Sequence, residues 1–236
     1  MSTIYLIRHG QASFGHSNYD RLSEKGKLQA KMLAEHLLNL NISFDISFTG
    51  TLTRHIETEK AFLDVLEERK IEKPESIRID NLNEYDSEKV IARYIPLMTT
   101  EAPLFQNEVT RMFESKRAFQ NVFEKIMRRW VSGKDDIPDL VSFKDYKKNV
   151  INGIENIMNI HGRGKQIAIF TSGGPVGVLV QMALHLSDQD AIAVTWQVVN
   201  SSVSRFKCTA DAIMLATFNE YVHLEMNGIK DMITYR

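Results

Sequence analysis

The apolar residues of this chain form two patterns, short continuous runs and longer stretches that repeat every three or four residues. The short runs have the length of strands buried in a sheet, and they lie at residues 3–7, 45–48, 77–80 and 167–170. Two further runs, 201–207 and 212–218, flank the polar segment CTAD and predict a hairpin. Polar and apolar residues alternate in SVSRF, which predicts that the first strand of this hairpin is half-exposed or lies at an edge.

Helical repeats follow most of these strands. Ser23 is a favourable N-cap for the first helix. The residues of this helix predicted to face the sheet are Leu28, Met32, Leu33, Leu37 and Leu40. Another helix is predicted to begin after Ser142 and to end near Gly162. The alternation of strands and helices predicts an α/β fold, a three-layer α/β/α sandwich with a mostly parallel sheet of about six strands.

Between about residues 88 and 140 this alternation is interrupted. Apolar residues from Val109 to Trp130 recur at intervals of three and four, which predicts a long amphipathic helix. We interpret the segment as a helical insertion within a single domain of residues 1–236. Packing of its aromatic stripe on the rest of the domain explains most of the pattern, and a contact between two copies in a homodimer is left open.

The first strand runs directly into Arg8, His9 and Gly10. Ligands of open α/β sheets bind at the carboxyl ends of the strands. A neutral imidazole at such a position is able to attack a phosphoryl group, and a guanidinium binds phosphoryl oxygens in a fork of matching geometry. Gly10 allows a close approach of the backbone. On these three residues alone, a half-buried structural histidine is an equally good interpretation.

Further motifs follow in a fixed order. They are LSEKGKLQA at 22–30, TLTRHIET at 51–58, LNE at 82–84, a strand, turn and helix at 167–185, and NEYVHL at 219–224. Together with RHG, they resemble the histidine phosphatase superfamily, also called phosphoglycerate-mutase-like, along nearly the whole chain and least clearly between residues 85 and 140. The resemblance implies a phosphohistidine on His9, phosphate binding by Arg8 and Arg54, and a helical insertion that roofs the site.

The resemblance also implies a catalytic acid. Glu84 matches the residue that protonates the leaving oxygen, and this role is chemically reasonable because an alcohol leaves poorly as an alkoxide. Asp86 lies close by in sequence and competes for the role. For both residues, an exposed loop acid is the alternative interpretation.

The segment that contains Ser172, Gly173 and Gly174 departs from the family. The two glycines predict a tight turn after the strand at 167–170, and the free amide groups at the start of the next helix favour an anion. We therefore assign Ser172 and Gly173 to phosphate binding. Family members normally have a second histidine where this chain has Ser172. A charge-assisted hydrogen bond contributes about 1.5–3 kcal/mol and a neutral one about 1, so we expect a weakened enzyme that retains activity.

No other histidine replaces the missing one by sequence. His55 directly follows Arg54, and because adjacent helix positions do not share a face, we assign His55 no role. His16 is expected to be a solvated side chain in the loop after the first strand. Family members with mutase activity have an asparagine at the position of Gly15, so we expect no phosphoglycerate mutase activity.

Composition excludes several other classes of function. A formal net charge of -1 argues against nucleic acid as the main partner. No stretch reaches the roughly 20 apolar residues of a membrane span, and the N-terminus lacks the pattern of a secretory signal. The single Cys208 cannot form an internal disulfide and is expected to serve packing. We therefore expect a cytoplasmic protein, and we expect no metal or cofactor because no ligands cluster at metal spacing.

Two functions fit these residues. The first is a metal-independent phosphomonoester hydrolase that acts on a phosphorylated small molecule or a phosphoprotein. The second is a pseudoenzyme that binds such a ligand without turnover, an alternative motivated by Ser172. A role in protein interaction through the amphipathic insertion is a third, more distant hypothesis.

Overall fold

The sheet of this protein has six strands in the part of the chain that the structure describes. That structure is a computed structural model, and it describes residues 1–13, 20–226, 228–229 and 231–235. The strands are β1 (Ser2–Arg8), β2 (Ile46–Thr49), β3 (Glu75–Arg78), β4 (Gln166–Thr171), β5 (Val203–Cys208) and β6 (Ile213–Glu220). They lie in the order β3-β2-β4-β1-β5-β6. The first four pair in parallel, and β5 pairs antiparallel with both β1 and β6, which confirms the predicted, mostly parallel α/β sheet.

Helices cover both faces of this sheet. They are α1 (Glu24–Asn39), α2 (Thr53–Glu68), α3 (Ser87–Glu101), α4 (Phe105–Arg111), α5 (Lys116–Val131), α6 (Phe143–His161), α7 (Gly173–Leu184), α8 (Asp188–Thr195) and α9 (Val222–Glu225). Successive side chains of β1 point to opposite faces, as in any strand. Tyr5 and Ile7 pack with apolar residues of α1 and α2, whereas Ile4 and Leu6 pack with the cluster that contains α5, α6 and α7. None of the described helices has the length and apolar character needed to cross a membrane.

The cap of α1 was predicted correctly, but part of its buried face was not. Ser23 Oγ accepts a hydrogen bond from the Gly26 backbone N–H at 3.0 Å, as an N-cap does. Leu33 is buried as expected. Leu28 and Leu40, however, are 42% and 55% exposed, because both lie outside the stripe that faces the sheet.

The predicted long helix around residues 109–130 is wrong. The chain forms α4, then breaks, and Ser115 caps α5 by accepting a hydrogen bond from Ala118 N at 3.1 Å. Phe113 lies in the break and is exposed. Trp130 of α5 is buried, with its ring centroid 4.9 Å from that of Tyr85. The aromatic stripe thus packs on the rest of the domain, whereas the lid and dimer roles remain predictions.

The C-terminal hairpin corrects one expectation about edges. β5 lies between β1 and β6 and is mostly buried, so its predicted edge position is wrong, and β6 is the edge strand. Successive residues of β6 alternate between half-buried and exposed, so one face of this strand is solvated. Cys208 at the end of β5 is buried, in agreement with a packing role.

Candidate active site

His9 lies directly after β1, at the carboxyl end of the parallel strands. Its backbone N–H donates to Thr171 O at 2.8 Å, across to β4. Its carbonyl accepts hydrogen bonds from Ser201 N and from Asn200 Nδ2, each at 3.2 Å. Because both sides of the His9 backbone are bonded, the position of the ring is fixed by the sheet and by the turn before β5.

The ring of His9 is oriented by a hydrogen bond at Nδ1, which leaves the lone pair on Nε2. Nδ1 lies 2.6 Å from the carbonyl oxygen of Gly10, and a carbonyl only accepts, so Nδ1 carries the proton and the neutral ring has its lone pair on Nε2. Burial, followed by the charges of Arg54 and Arg8, lowers the pKa of His9 well below its ordinary value of 6.5. The imidazole is therefore neutral at physiological pH, the form that acts as a nucleophile.

Gly10 is required by helix packing. A Cβ on Gly10 would lie 2.3 Å from the carbonyl oxygen of Gly26 in α1. The backbone N–H of Gly10 donates to Thr58 Oγ1 of α2 at 3.2 Å. The close approach predicted at this glycine is therefore an approach of the strand end to two helices, and it holds His9 against them.

Two guanidinium groups lie close enough to His9 to lower its pKa. Arg8 Nη1 donates to the carbonyl of Val198, and Nη2 donates to the carbonyl of Tyr235 at 2.7 Å. Arg54 Nη1 donates to Asp20 Oδ1 at 2.6 Å. The Arg8 residue and the Arg54 side chain are 9% and 11% exposed, so both positive charges are concentrated in a mostly desolvated region. Neither Asp20 nor the Tyr235 carbonyl was expected from the sequence.

Glu84 lies beside the N-terminus of α7. Its Oε2 accepts a hydrogen bond from Gly174 N at 3.0 Å, and its Oε1 accepts from Tyr85 N at 3.1 Å. The Tyr146 hydroxyl lies 3.4 Å from Oε1. Burial raises the pKa of the Glu84 carboxyl despite the opposing effect of these amides and of nearby arginine charge. A carboxyl group that tends to keep its proton is suited to act as a general acid.

Asp86, the competing candidate for the catalytic acid, has a structural role at the start of α3. Asp86 is exposed, and its Oδ1 accepts a hydrogen bond from Lys89 N at 2.9 Å, which makes Asp86 the N-cap of α3. Gly174, by contrast, leaves room for the Glu84 carboxyl group, since a Cβ at this position would lie 2.0 Å from Glu84 Oε1. The geometry therefore favours Glu84 over Asp86.

Ser172 and Gly173 lie where β4 passes into α7. The predicted separate tight turn is wrong, because α7 begins at Gly173 itself with Ser172 as its N-cap residue. Ser172 is fully buried, and its side chain makes no capping hydrogen bond. A Cβ on Gly173 would lie 3.9 Å from Arg8 Nε, so this glycine borders the arginine.

The expectation that His55 faces away from the site is wrong. Its side chain is completely buried, Nε2 lies 2.6 Å from Ser172 Oγ, and its ring centroid lies 5.7 Å from that of His9. The reason is the position of His55 in the first turn of α2. Side chains of a helix tilt toward its N-terminus, so neighbours in the first turn both reach past the helix end. Arg54 and His55 thereby flank the site together.

Two sequence expectations lie outside the described residues, those for Gly15 and His16. Within the described residues, no group of three or more histidine, cysteine or acidic side chains is arranged to hold a metal ion. The groups that the structure brings together are thus a neutral imidazole, two guanidiniums, a carboxyl group and a serine–histidine pair.

Known proteins resemble this chain in sequence. A family model described as "Histidine phosphatase superfamily (branch 1)" matches residues 4–94, a region that contains Arg8, His9, Arg54 and Glu84. A 2,3-bisphosphoglycerate-dependent phosphoglycerate mutase of Rhizobium etli is 26% identical over 201 residues, which cover 82% of this chain and 86% of that protein. A protein of the same description from Brucella abortus is 33% identical over 90 residues, 36% of this chain and 42% of its own.

Solved structures share the fold. A phosphoglycerate mutase from Bacillus anthracis superposes with a TM-score of 0.64 at 16% identity, covering 94% of each chain. A phosphoserine phosphatase from Entamoeba histolytica superposes with a TM-score of 0.63 at 17% identity, covering 95% of this chain and all of the other. At these identities the likeness establishes the arrangement of strands and helices.

Proposed function

From its similarity to the histidine phosphatase superfamily, we propose that this chain is a member of that superfamily and a metal-independent phosphomonoester hydrolase that acts through a phosphohistidine. The observation that carries the proposal is the neutral ring of His9, with its lone pair on Nε2 and the charges of Arg8 and Arg54 beside it. A nucleophile and the cations that stabilise a phosphoryl group are thus held together on rigid strand and helix ends.

The reaction has two steps. In the first, His9 Nε2 attacks phosphorus, the bond from phosphorus to the ester oxygen breaks, and Glu84 gives its proton to the departing alcohol. In the second, water attacks the phosphohistidine, Glu84 takes a proton from that water, and the bond from nitrogen to phosphorus breaks to release phosphate. Glu84 is suited to both steps because its raised pKa lets it carry the proton at the start and return to that state at the end.

Arg8 and Arg54 would bind the non-bridging oxygens. Arg54 is held by Asp20 at 2.6 Å, and Arg8 donates to the Tyr235 carbonyl at 2.7 Å, so a phosphoryl group would exchange for these oxygen partners. The start of α7 adds backbone amides and a partial positive charge at the same place. Removing one such donor from a charge-stabilising site typically costs about 100- to 1,000-fold in rate.

We propose water as the phosphoryl acceptor, with a phosphorylated small molecule or a phosphoprotein as the substrate. The Rhizobium etli relative is described as a mutase, and the Entamoeba histolytica neighbour is described as a phosphatase. Gly15 stands where family members with mutase activity have an asparagine, and this favours hydrolysis over transfer to a second substrate.

The test is a metal-free assay of phosphate release from an aryl phosphate and from an alkyl phosphate, in the presence of a chelator. We expect release by the natural chain and a loss of about 1,000-fold or more in His9→Ala, because no other described nucleophile occupies this position. After a brief reaction with a labelled phosphate ester, protein denatured at alkaline pH, where the bond from nitrogen to phosphorus is stable, should carry a labelled phosphohistidine in the natural chain and none in His9→Ala. His185→Asn changes an exposed histidine at the end of α7 and serves as the control. Release that persists in His9→Ala contradicts the proposal.

The pseudoenzyme is a second candidate because Ser172 stands at the position of the family's second histidine, and the terminal nitrogens of Arg8 already bind main-chain carbonyls. Calorimetry with a phosphorylated ligand distinguishes the two. Binding that needs both Arg8 and Arg54, with the ligand intact after hours, supports the pseudoenzyme. Turnover that needs His9 excludes it.

We also propose a cytoplasmic location and a partner that is not a nucleic acid. The single cysteine is buried in β5, which suits a reducing compartment. The net charge of -1 leaves no overall basic excess for a polyanion.

A further inference from the structure

A buried imidazole and a buried hydroxyl meet beside His9. His55 Nε2 and Ser172 Oγ lie 2.6 Å apart, and neither residue is accessible to solvent. The carbonyl oxygen of Thr171, which precedes Ser172, accepts a hydrogen bond from the backbone N–H of His9 at 2.8 Å. Ser172 and His9 therefore lie at the ends of the adjacent strands β4 and β1. The rings of His9 and His55 are 5.7 Å apart between centroids.

The fold makes room for this imidazole. A Cβ on Gly50 would lie 2.2 Å from His55 Nδ1, so any larger residue at that position would collide with the ring. Gly50 directly follows β2, and it leaves the space that the His55 ring occupies between the end of β2 and Ser172. The absence of a side chain at Gly50 therefore leaves a space that fits the His55 ring.

The direction of the hydrogen bond follows from the surroundings of His55. Burial, followed by the charge of Arg54, lowers the pKa of His55 well below its ordinary value, so the ring is neutral and has one N–H. Nδ1 is buried without a hydrogen-bond partner. A buried N–H without a partner is rarer and more costly than a buried acceptor without one, so the proton belongs on Nε2. Nε2–H then donates to Ser172 Oγ, and the hydroxyl proton of Ser172 is free to be donated onward.

We propose that His55 acts through Ser172 as the second imidazole of this site, polarising the Ser172 hydroxyl so that it donates a strengthened hydrogen bond to the phosphoryl group on its way to His9. This inference rests on the proposed phosphoryl transfer and adds a positioning residue to it. Hydrogen bonds in a chain polarise one another, and the effect is greatest away from water. The chain therefore retains an imidazole beside the phosphoryl group, presented from α2 through a serine instead of from the start of α7.

The first experiment compares two substitutions of similar size. In His55→Gln the side-chain amide nitrogen replaces Nε2 as a donor to Ser172, whereas in His55→Met the same volume is filled without a donor. We expect His55→Met to slow phosphohistidine formation about tenfold at unchanged KM, and His55→Gln to retain most of the natural rate. Equal rates in the two variants would mean that His55 only fills space, and would overturn the proposal.

A double-mutant cycle tests whether His55 acts through Ser172. Ser172→Ala should slow phosphohistidine formation by at least as much as His55→Met, and the double variant should be no slower than Ser172→Ala alone. Losses that multiply would show independent roles and overturn the proposal. Thermal melting of each variant distinguishes a slower reaction from a smaller folded fraction.

A third measurement does not depend on turnover. In nitrogen NMR of the natural chain, His55 should carry its proton on Nε2, and inorganic phosphate or vanadate should shift the Nε2 signal. The shift should disappear in Ser172→Ala. A proton on Nδ1, or a shift that persists without the hydroxyl, overturns the inference. If phosphate release proves independent of His9, the hydrolase proposal fails, and this measurement still decides the role of the pair.

Discussion

His9 and Glu84 are held in opposite protonation states by one physical cause. Burial disfavours the charged form of each group, so it lowers the pKa of the imidazole and raises that of the carboxyl. The neighbouring arginine charges reinforce the effect on His9 and oppose it on Glu84. A neutral imidazole and a protonated carboxyl group therefore coexist in the same pH range, as the first step of the proposed hydrolysis requires.

The pH dependence of hydrolysis should report these two groups. With an alkyl phosphate, the rate should stay high while His9 is neutral and Glu84 is protonated, and it should fall as the pH rises through the raised pKa of Glu84. Glu84→Gln keeps the shape of the side chain but supplies no acidic proton, so it should lose about 100- to 10,000-fold on the alkyl substrate. In the rate of phosphohistidine formation, which precedes the water step that both substrates share, the loss should be much smaller with an aryl phosphate, whose oxygen leaves without protonation.

Asp86→Asn is the control for this prediction, because Asp86 caps α3 and its amide replacement remains able to accept the hydrogen bond from Lys89 N. Its pH profile should match that of the natural chain. Equal losses of Glu84→Gln in the rate of phosphohistidine formation from both substrates would argue against a proton-donating role for Glu84.

The residues of the proposed site could be predicted from the sequence where a local pattern carried them. Arg8 and His9 end a strand, and Glu84 follows another, so topology alone predicts that they meet at one end of the sheet. Asp20 and His55 were missed because their roles depend on partners 34 and 117 positions away. The first turn of α2 was the available signal, since its side chains point past the helix end.

The junction of β4 and α7 is the element that positions Glu84, the proposed catalytic acid. A Cβ on Gly174 would lie 2.0 Å from Glu84 Oε1 and 2.4 Å from the Tyr146 hydroxyl. Gly174→Ala should therefore displace Glu84 and slow hydrolysis of an alkyl phosphate about tenfold or more, although alanine favours helices by about 1 kcal/mol. Steady-state rates and thermal melting measure the two effects separately.

Gly177→Ala provides a matched clash in the same helix. Its Cβ would lie 2.5 Å from Thr195 Cγ2 and 2.8 Å from the Ala191 carbonyl oxygen, both in α8. This variant should lower the melting temperature and keep kcat. A Gly174→Ala variant that hydrolyses alkyl phosphates at the natural rate would show that Glu84 needs no such precise placement.

At the scale of elements, the sequence predicted what local patterns determine and missed what pairing determines. Ser142 and Gly162 bound α6 as expected, because caps depend on a few neighbouring residues. The burial of β5 was misread because it depends on β6, which covers its outer side. The break between α4 and α5 was missed because Phe113 continues the apolar repeat although its side chain is exposed.

The whole molecule places the ends of its parallel strands at one edge. His9 follows β1, Gly50 follows β2, Glu84 lies in the segment after β3, and Ser172 follows β4. The chain passes from β1 to β2 on one side of the sheet and from β4 to β5 on the other, so the strand order reverses between the neighbouring strands β1 and β4, beside His9. Ligands of open α/β sheets generally bind at such a reversal of strand order.

The same burial makes the stability of the whole protein depend on pH. His9, His55 and His223 all have lowered pKa values, that of His223 to about 3, mainly because of burial. Each binds a proton more readily when the chain unfolds, so each contributes stability that is present above about pH 6.5 and is lost as the pH falls. The loss is up to about 1.4 kcal/mol per pH unit for each histidine.

Glu84 changes stability with pH in the opposite direction to the histidines, which gives the last prediction an internal control. Its raised pKa means that the folded state holds a proton that the unfolded state releases, so its contribution to stability is lost as the pH rises. Between pH 5 and 6.5, urea unfolding should show stability that falls on acidification. Glu84→Gln should make this fall steeper by up to about 1.4 kcal/mol per pH unit, and His55→Met should make it shallower by a similar amount. Stability that stays level across this range would mean that the buried imidazoles accept protons in the folded protein.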